Sequence, residues 1–180
     1  MSTKTLITVK EFAQMSTGDT EDYELVEGEL VPLASGTPLH AKIRQNFEFQ
    51  ALTYFDVHPI GLILADFDCQ ITPYRTRRRD PSIFFAPSLK RLDFNNIPLP
   101  FAPDIAVNVL SPSKSAINVH RRALEYRSAG SQEVWQLDYE NGEILVKTHS
   151  GIRLLCAPQT LQSPLLPGFS ATLDTLLAGF

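Results

Sequence analysis

Apolar and polar positions alternate with two different periods along this chain, and the changes of period mark its elements. Thr8-Val9-Lys10-Glu11 has the spacing of a capping box, which predicts a short helix to about Met15. In "YELVEGELVPL" the alternation breaks at Glu27-Gly28, which predicts a hairpin. Thr37-Pro38 places a cap before a first-turn proline, and Ile43, Phe47 and Ala51 follow at near-helical spacing. An amphipathic helix is therefore expected to about Phe55. Residues 61–85 read as strands; in "GLILADFDCQI" Asp66, Asp68 and Gln70 fall on one face, and Phe67, Cys69 and Ile71 on the other. Residues 90–102 are proline-rich and read as loop. The run "IAVNVL" at 105–110 then has the pattern of a strand covered on both faces. A segment carrying Ile117, Leu124 and Tyr126 among basic residues reads as a helix stopped at Gly130. Asn141-Gly142 between two alternating runs predicts a two-residue hairpin, "GIRLLCA" a further strand, and "SATLDTLL" a short helix capped near Ser170.

The strand–helix–strand unit at 104–138 predicts a parallel pair inside a mixed sheet flanked by helices. The expectation is one α/β (α+β) domain over residues 1–180, long enough to bury a sizeable core. Composition adds limits. An apolar fraction of 43% with 20% charged residues is that of a globular protein, and a net charge of −4 argues against indiscriminate coating of nucleic acid. Cys69 and Cys156 have no metal-ligand spacing and read as separate thiols in a reducing compartment. No run approaches a membrane span, and the first ten residues lack a secretory core, so a cytoplasmic location without membrane contact is expected.

Asn108 is the anomaly. It interrupts an apolar strand with an amide that needs hydrogen-bond partners, and leaving such a group unpaired costs about 1–3 kcal/mol. The chain has no Walker loop, G-x-G-x-x-G, G-x-S-x-G or H-E-x-x-H, and its four histidines are scattered. A longer pattern does stand out: "YELVEGEL", a histidine at a helix start, "RRRDPSIFF", "PDIAVNVLSPS", and a helix leading to "EYRSAGSQEVWQLD". Taken in this order, it resembles the Uma-two family, bacterial restriction-endonuclease-like proteins of the PD-(D/E)XK nuclease superfamily, along nearly the whole chain. The resemblance implies a mixed central sheet, a metal-dependent DNA endonuclease ancestry and a homodimer.

The same resemblance assigns the site. Ser82 stands where the family has its first metal-binding aspartate, Asn108 where it has a glutamate, and Arg122 where it has a lysine. Hydrolysis assisted by Mg²⁺ needs carboxylates to hold the ion, and arginine does not readily give up a proton. The expectation is a degenerate site, with Ser82 and Arg122 as partners for the Asn108 amide. Such a chain would act as a nucleic-acid-binding or protein-interaction module without a cofactor. The alternative is a Mg²⁺-dependent endonuclease with displaced ligands. Asp80 shares a strand face with Ser82, and Asp104 with Asn108, each about 6–7 Å away per two residues; otherwise they are a turn residue and a strand-start residue. Glu29 and His40 match polar positions near the family cleft, although a hairpin glutamate is also an ordinary surface residue. Arg75, Arg77 and Arg79 fall on one strand face with Arg78 opposite, either as phosphate contacts to DNA or as a solvated edge.

Overall fold

The structure, a computed structural model, describes residues 6–15, 20, 22–33, 36–78, 80–111 and 116–179. Helix α1 (Val9–Phe12) begins at Thr8, whose hydroxyl accepts from the Glu11 N–H while the Glu11 carboxylate accepts from the Thr8 N–H. Strands β1 (Tyr23–Val26) and β2 (Glu29–Pro32) pair antiparallel, with Val26 opposite Glu29. The two turn residues, Glu27 and Gly28, both have positive φ, the geometry a right-twisted two-residue hairpin requires. Gly28 has a second reason to be glycine: a Cβ there would lie 2.7 Å from the Leu6 Cβ.

Helix α2 (Pro38–Val57) is capped by Thr37 and buries Ile43, Phe47, Ala51 and Tyr54. The expected strand region resolves into β3 (Gly61–Leu64), β4 (Asp68–Thr72), β5 (Arg75–Arg78) and β6 (Ser82–Phe85), followed by a single turn, α3 (Ala86–Leu89). The central strand is β7 (Ile105–Val109), and α4 (Ala116–Ser128) crosses to β8 (Glu133–Asp138). The chain closes with β9 (Glu143–Thr148), β10 (Gly151–Cys156), β11 (Thr160–Leu161), β12 (Ala171–Thr172) and α5 (Leu173–Leu177).

The main sheet has the order β10-β9-β8-β7-β6-β3. Strands β7 and β8 are parallel and joined through α4; the other neighbours are antiparallel. Alternation divides each strand between two cores. Ile83, Ile105, Val107, Val109, Trp135 and Leu137 face α2 and α5. Phe84, Ala106 and Val134 face the other way, against Ala123 and Tyr126 of α4 and Cys69 of β4. The β4–β5 hairpin therefore lies outside the main sheet, as a separate ribbon on the α4 side.

Two turn expectations change. The β8–β9 register closes at Asp138 opposite Glu143, so the loop holds four residues. The Asp138 carboxylate accepts from the Asn141 N–H and Nδ2 at 3.1 and 2.9 Å, which competes with the tight turn that Asn-Gly would otherwise form. The two-residue turn falls instead at His149-Ser150, between β9 and β10. Helix α5 is capped by Thr172 rather than Ser170, because 171–172 pair with β11 before the helix begins.

Candidate functional site

Strand register fixes the first two positions. Ser82 lies opposite Ala106, and Asn108 lies two residues further along β7 and opposite Gln136 of β8. Ala106 and Phe84 face α4, so by alternation Ser82, Asn108 and Gln136 face it too. All three side chains are buried. Arg122 is on α4, one turn before Tyr126, which packs in the core on this same face. The three positions assigned by resemblance thus occupy one layer, between the sheet and α4.

Within that layer the Ser82 hydroxyl is fully buried and makes no hydrogen bond among the described residues, so it does not supply a partner for the Asn108 amide as expected. Gln136 Nε2 donates to the Val119 carbonyl, tying β8 to the first turn of α4. Arg122 Nη2 lies 3.7 Å from Glu24 Oε2. Glu24, which the sequence reading did not single out, is buried on β1 and is the hub of an ion network. It accepts from Arg77 Nη1 at 2.7 Å and from the Arg78 N–H at 3.0 Å. Arg77 also binds Glu125 of α4 through Nε at 2.9 Å, and Arg75 binds Glu125 at 2.6 Å and Glu27. The Arg75 hydrogen bond is the main cause holding the Glu27 carboxyl below its ordinary value. Arg78 pairs with the buried Asp68 at 2.8 Å.

Neither expectation for the arginine strand, phosphate contacts from Arg75 and Arg77 with Arg78 opposite or a solvated edge, describes these side chains. Arg75 and Arg77 are buried, and all three guanidinium groups are already matched to carboxylates. Arg79 lies outside the described residues. The sequence carried only a general signal: an arginine-rich strand needs counter-charges to be buried, and the acids of "YELVEGEL" that supply two of them lie far from it along the chain.

Of the four remaining candidates, Asp80 and His40 meet, and Asp104 and Glu29 stand apart. Asp80 lies just before β6, where its Oδ2 accepts from the Val109 N–H at 2.9 Å and its Oδ1 is 3.5 Å from His40 Nε2. His40 is held in the first turn of α2, its N–H donating to Thr37 Oγ1. Asp104 caps the other end of the same strand pair, its Oδ2 accepting from the Phe85 N–H at 2.8 Å. The β6–β7 ladder, short in itself, is thus closed by a carboxylate at each end, and the two carboxylates do not meet. Glu29 is exposed on β2.

Beside Asp80 is a second charged group that the sequence did not reveal. Arg44, one turn after His40, makes a two-pronged bond to Asp66 at 2.6 and 2.8 Å and lies 3.3 Å from Glu48. Burial pushes the Glu48 carboxyl above its ordinary value; Arg44 opposes this, and Asp66 and Asp80 add to it.

Mg²⁺ is held by several oxygen ligands, carboxylates foremost. The family positions offer one neutral hydroxyl and one amide. Among the described residues, no three His, Cys, Asp or Glu side chains are grouped to hold a metal ion. Asp80 is committed to the backbone of β7, and Glu24 to three arginines. This donor set does not fit a divalent magnesium ion. No helix among the described residues is long and apolar enough to cross a membrane.

A mixed six-stranded sheet flanked by helices, with a parallel central pair and polar residues on the two strands of an antiparallel pair, defines the restriction-endonuclease-like class. The fold is shared with the crystal structure of a putative nuclease belonging to DUF820 from Anabaena variabilis ATCC 29413. That likeness has a TM-score of 0.77 at 20% identity, over 95% of this chain and 97% of that one. The family profile described as "Uma2: Putative restriction endonuclease" matches residues 9–174, and the chain belongs to that family. No curated protein matches it.

Proposed function

We propose that this chain keeps the nuclease fold without cleaving phosphodiesters by the family's metal route, and that it serves as a protein-interaction module. The observation that carries the reading is the layer containing Ser82, Asn108 and Arg122. Two buried neutral side chains stand where carboxylates would bind a metal, and the nearby cation is drawn to Glu24. A protein partner is favoured over nucleic acid because Arg75 and Arg77 are buried in ion pairs and the chain carries a net charge of −4. The reading includes no divalent cofactor. It places the chain in the cytoplasm, in keeping with Cys69 and Cys156 standing as thiols and not as a disulfide.

The test is cleavage of supercoiled plasmid with Mg²⁺ or Mn²⁺, comparing the natural chain with a Ser82→Asp, Asn108→Glu, Arg122→Lys variant. The natural chain is expected to leave the plasmid intact. Robust metal-dependent nicking by the natural chain overturns the proposal and points to Asp80, Asp104 or Glu29 as displaced ligands. Tight duplex binding that weakens steeply with salt would overturn the choice of a protein partner.

A further inference from the structure

Strand β10 is an edge of the main sheet, and its outer side is open. The Thr148–Gly151 pair closes a two-residue turn and so belongs to the hydrogen-bonded class. Gly151, Arg153 and Leu155 therefore bond to β9, while Ile152, Leu154 and Cys156 turn their N–H and C=O groups outward. The Cys156 N–H confirms the parity, because it donates to Gln159 Oε1 at 2.8 Å rather than to β9. On the outer side, the backbones of Ile152 and Leu154 have no partner among the described residues.

The side chains on this edge are apolar and exposed, Ile152 by 60% and Leu154 by 49%. Their register with Lys147 and Leu145, and through these with Val134 and Gln136, puts them on the α4 face of the sheet. Helix α4 reaches toward them: Arg127 Nη2 is 3.1 Å from His149 Nδ1 in the β9–β10 turn. The row Ile117, His120, Leu124, Arg127, at spacings of three and four, shares one side of α4, and Arg127 brings that side to the β9–β10 turn. Ile117 is 78% exposed and Leu124 48%. Neither belongs to the core on either face of the sheet. An open strand edge beside an exposed apolar helix row is a surface that soluble proteins normally cover.

We propose that a second copy of this chain covers it, with β10 pairing antiparallel to β10 of the partner about a two-fold axis. Antiparallel pairing of one strand with itself obeys that symmetry without adjustment. With the axis at Arg153, Ile152 lies opposite the partner's Leu154, and Leu154 opposite the partner's Ile152. Both are hydrogen-bonded pairs, giving four ladder bonds and an apolar quartet on the α4 face. The cost is Arg153 facing the partner's Arg153 on the other face, where each guanidinium already donates to its own Gln162 carbonyl.

Charge favours a second copy over an unrelated strand. Beside the Thr148–Gly151 end of the hairpin stands the Arg127 guanidinium of α4, and the opposite end carries Asp138, Glu140 and Glu143. Antiparallel pairing sets the basic end of each copy alongside the acidic end of the other, twice per dimer. The resulting twelve-stranded sheet would have no exposed β10 edge. This inference does not rest on the functional reading above and stands whether or not the chain cleaves DNA.

Sedimentation equilibrium of the full chain tests it, with a mass of twice 20.1 kDa expected. The Ile152→Lys, Leu154→Lys double variant should raise the dimer Kd by at least about tenfold. Its far-UV spectrum should not change, since both side chains are exposed in the single chain. Glu143→Lys and high salt should each weaken the dimer. If the double variant fails to fold, hydrogen exchange on the natural chain decides the matter: the Ile152 and Leu154 amides should be protected at high concentration and exchange freely on dilution. A natural chain that stays monomeric overturns the proposal. So does a dimer whose two amides exchange freely, or one that the folded double variant leaves intact.

Discussion

Ser82 and Lys147 are both polar side chains held where polarity is costly, and each predicts the effect of its own replacement. The Ser82 hydroxyl is fully buried without a hydrogen bond among the described residues, the situation in which a polar atom subtracts from stability. Ser82→Ala should therefore stabilise the fold, by about 1 kcal/mol, read from the midpoint of urea unfolding at an unchanged slope. Lys147 is buried on β9 between Val134 and Ile152, and burial pushes its amine below the ordinary value of 10.5. As pH falls through the window below 10.5, the unfolded chain takes up this proton first, so the folded state loses stability there. Lys147→Met should accordingly raise the melting temperature at neutral pH, and the gain should shrink as pH climbs through that window. A gain that is constant with pH would mean that packing, and not charge, was responsible.

The β4–β5 hairpin is the element whose position matters most for the site. It is not part of the main sheet, and ion pairs join it to β1 and α4: Arg77 to Glu24 and Glu125, and Arg75 to Glu125 and Glu27. Replacing Arg77 with Met strands two carboxylates against a buried face. Losing one partner of such a pair costs about 3–5 kcal/mol, much more than an exposed pair. Arg77→Met should therefore unfold at markedly lower urea. Near-UV circular dichroism of Trp135 should persist until the global transition if the ribbon and sheet unfold together. The alternation of arginines in "YRTRR" was readable in the sequence. Their partners were not, because Glu24 and Glu125 are 53 and 48 residues away from Arg77 and meet it only when β1 and α4 close over the ribbon.

For the whole molecule, three local patterns carried most of the architecture. The capping box at Thr8, the helix cap at Thr37 and the buried run of β7 with its α4 crossover all appear where the spacing put them. The sheet order could not be read, because β3 pairs with β6 across an excursion of two strands. The same excursion brings Asp66 beside Arg44 and leads into Asp80, creating a charged group with no linear signature. Edge identity was equally hidden. The run "GIRLLC" reads as a strand, but whether Ile152 and Leu154 are core or open edge depends on how many strands follow beside it.

The sequence by itself determined the family, the type and order of most elements, and the identity of the residues at the altered positions, since local spacing and motif order are properties of the linear chain. Only the tertiary structure decided what those residues touch. It left Ser82 without a hydrogen bond among the described residues, matched the arginines to distant carboxylates, set Asp80 and Asp104 at opposite ends of one ladder, and left β10 exposed. The physical reason is that burial and pairing energies depend on which distant segments meet, and sheet register sets that only once the chain has folded.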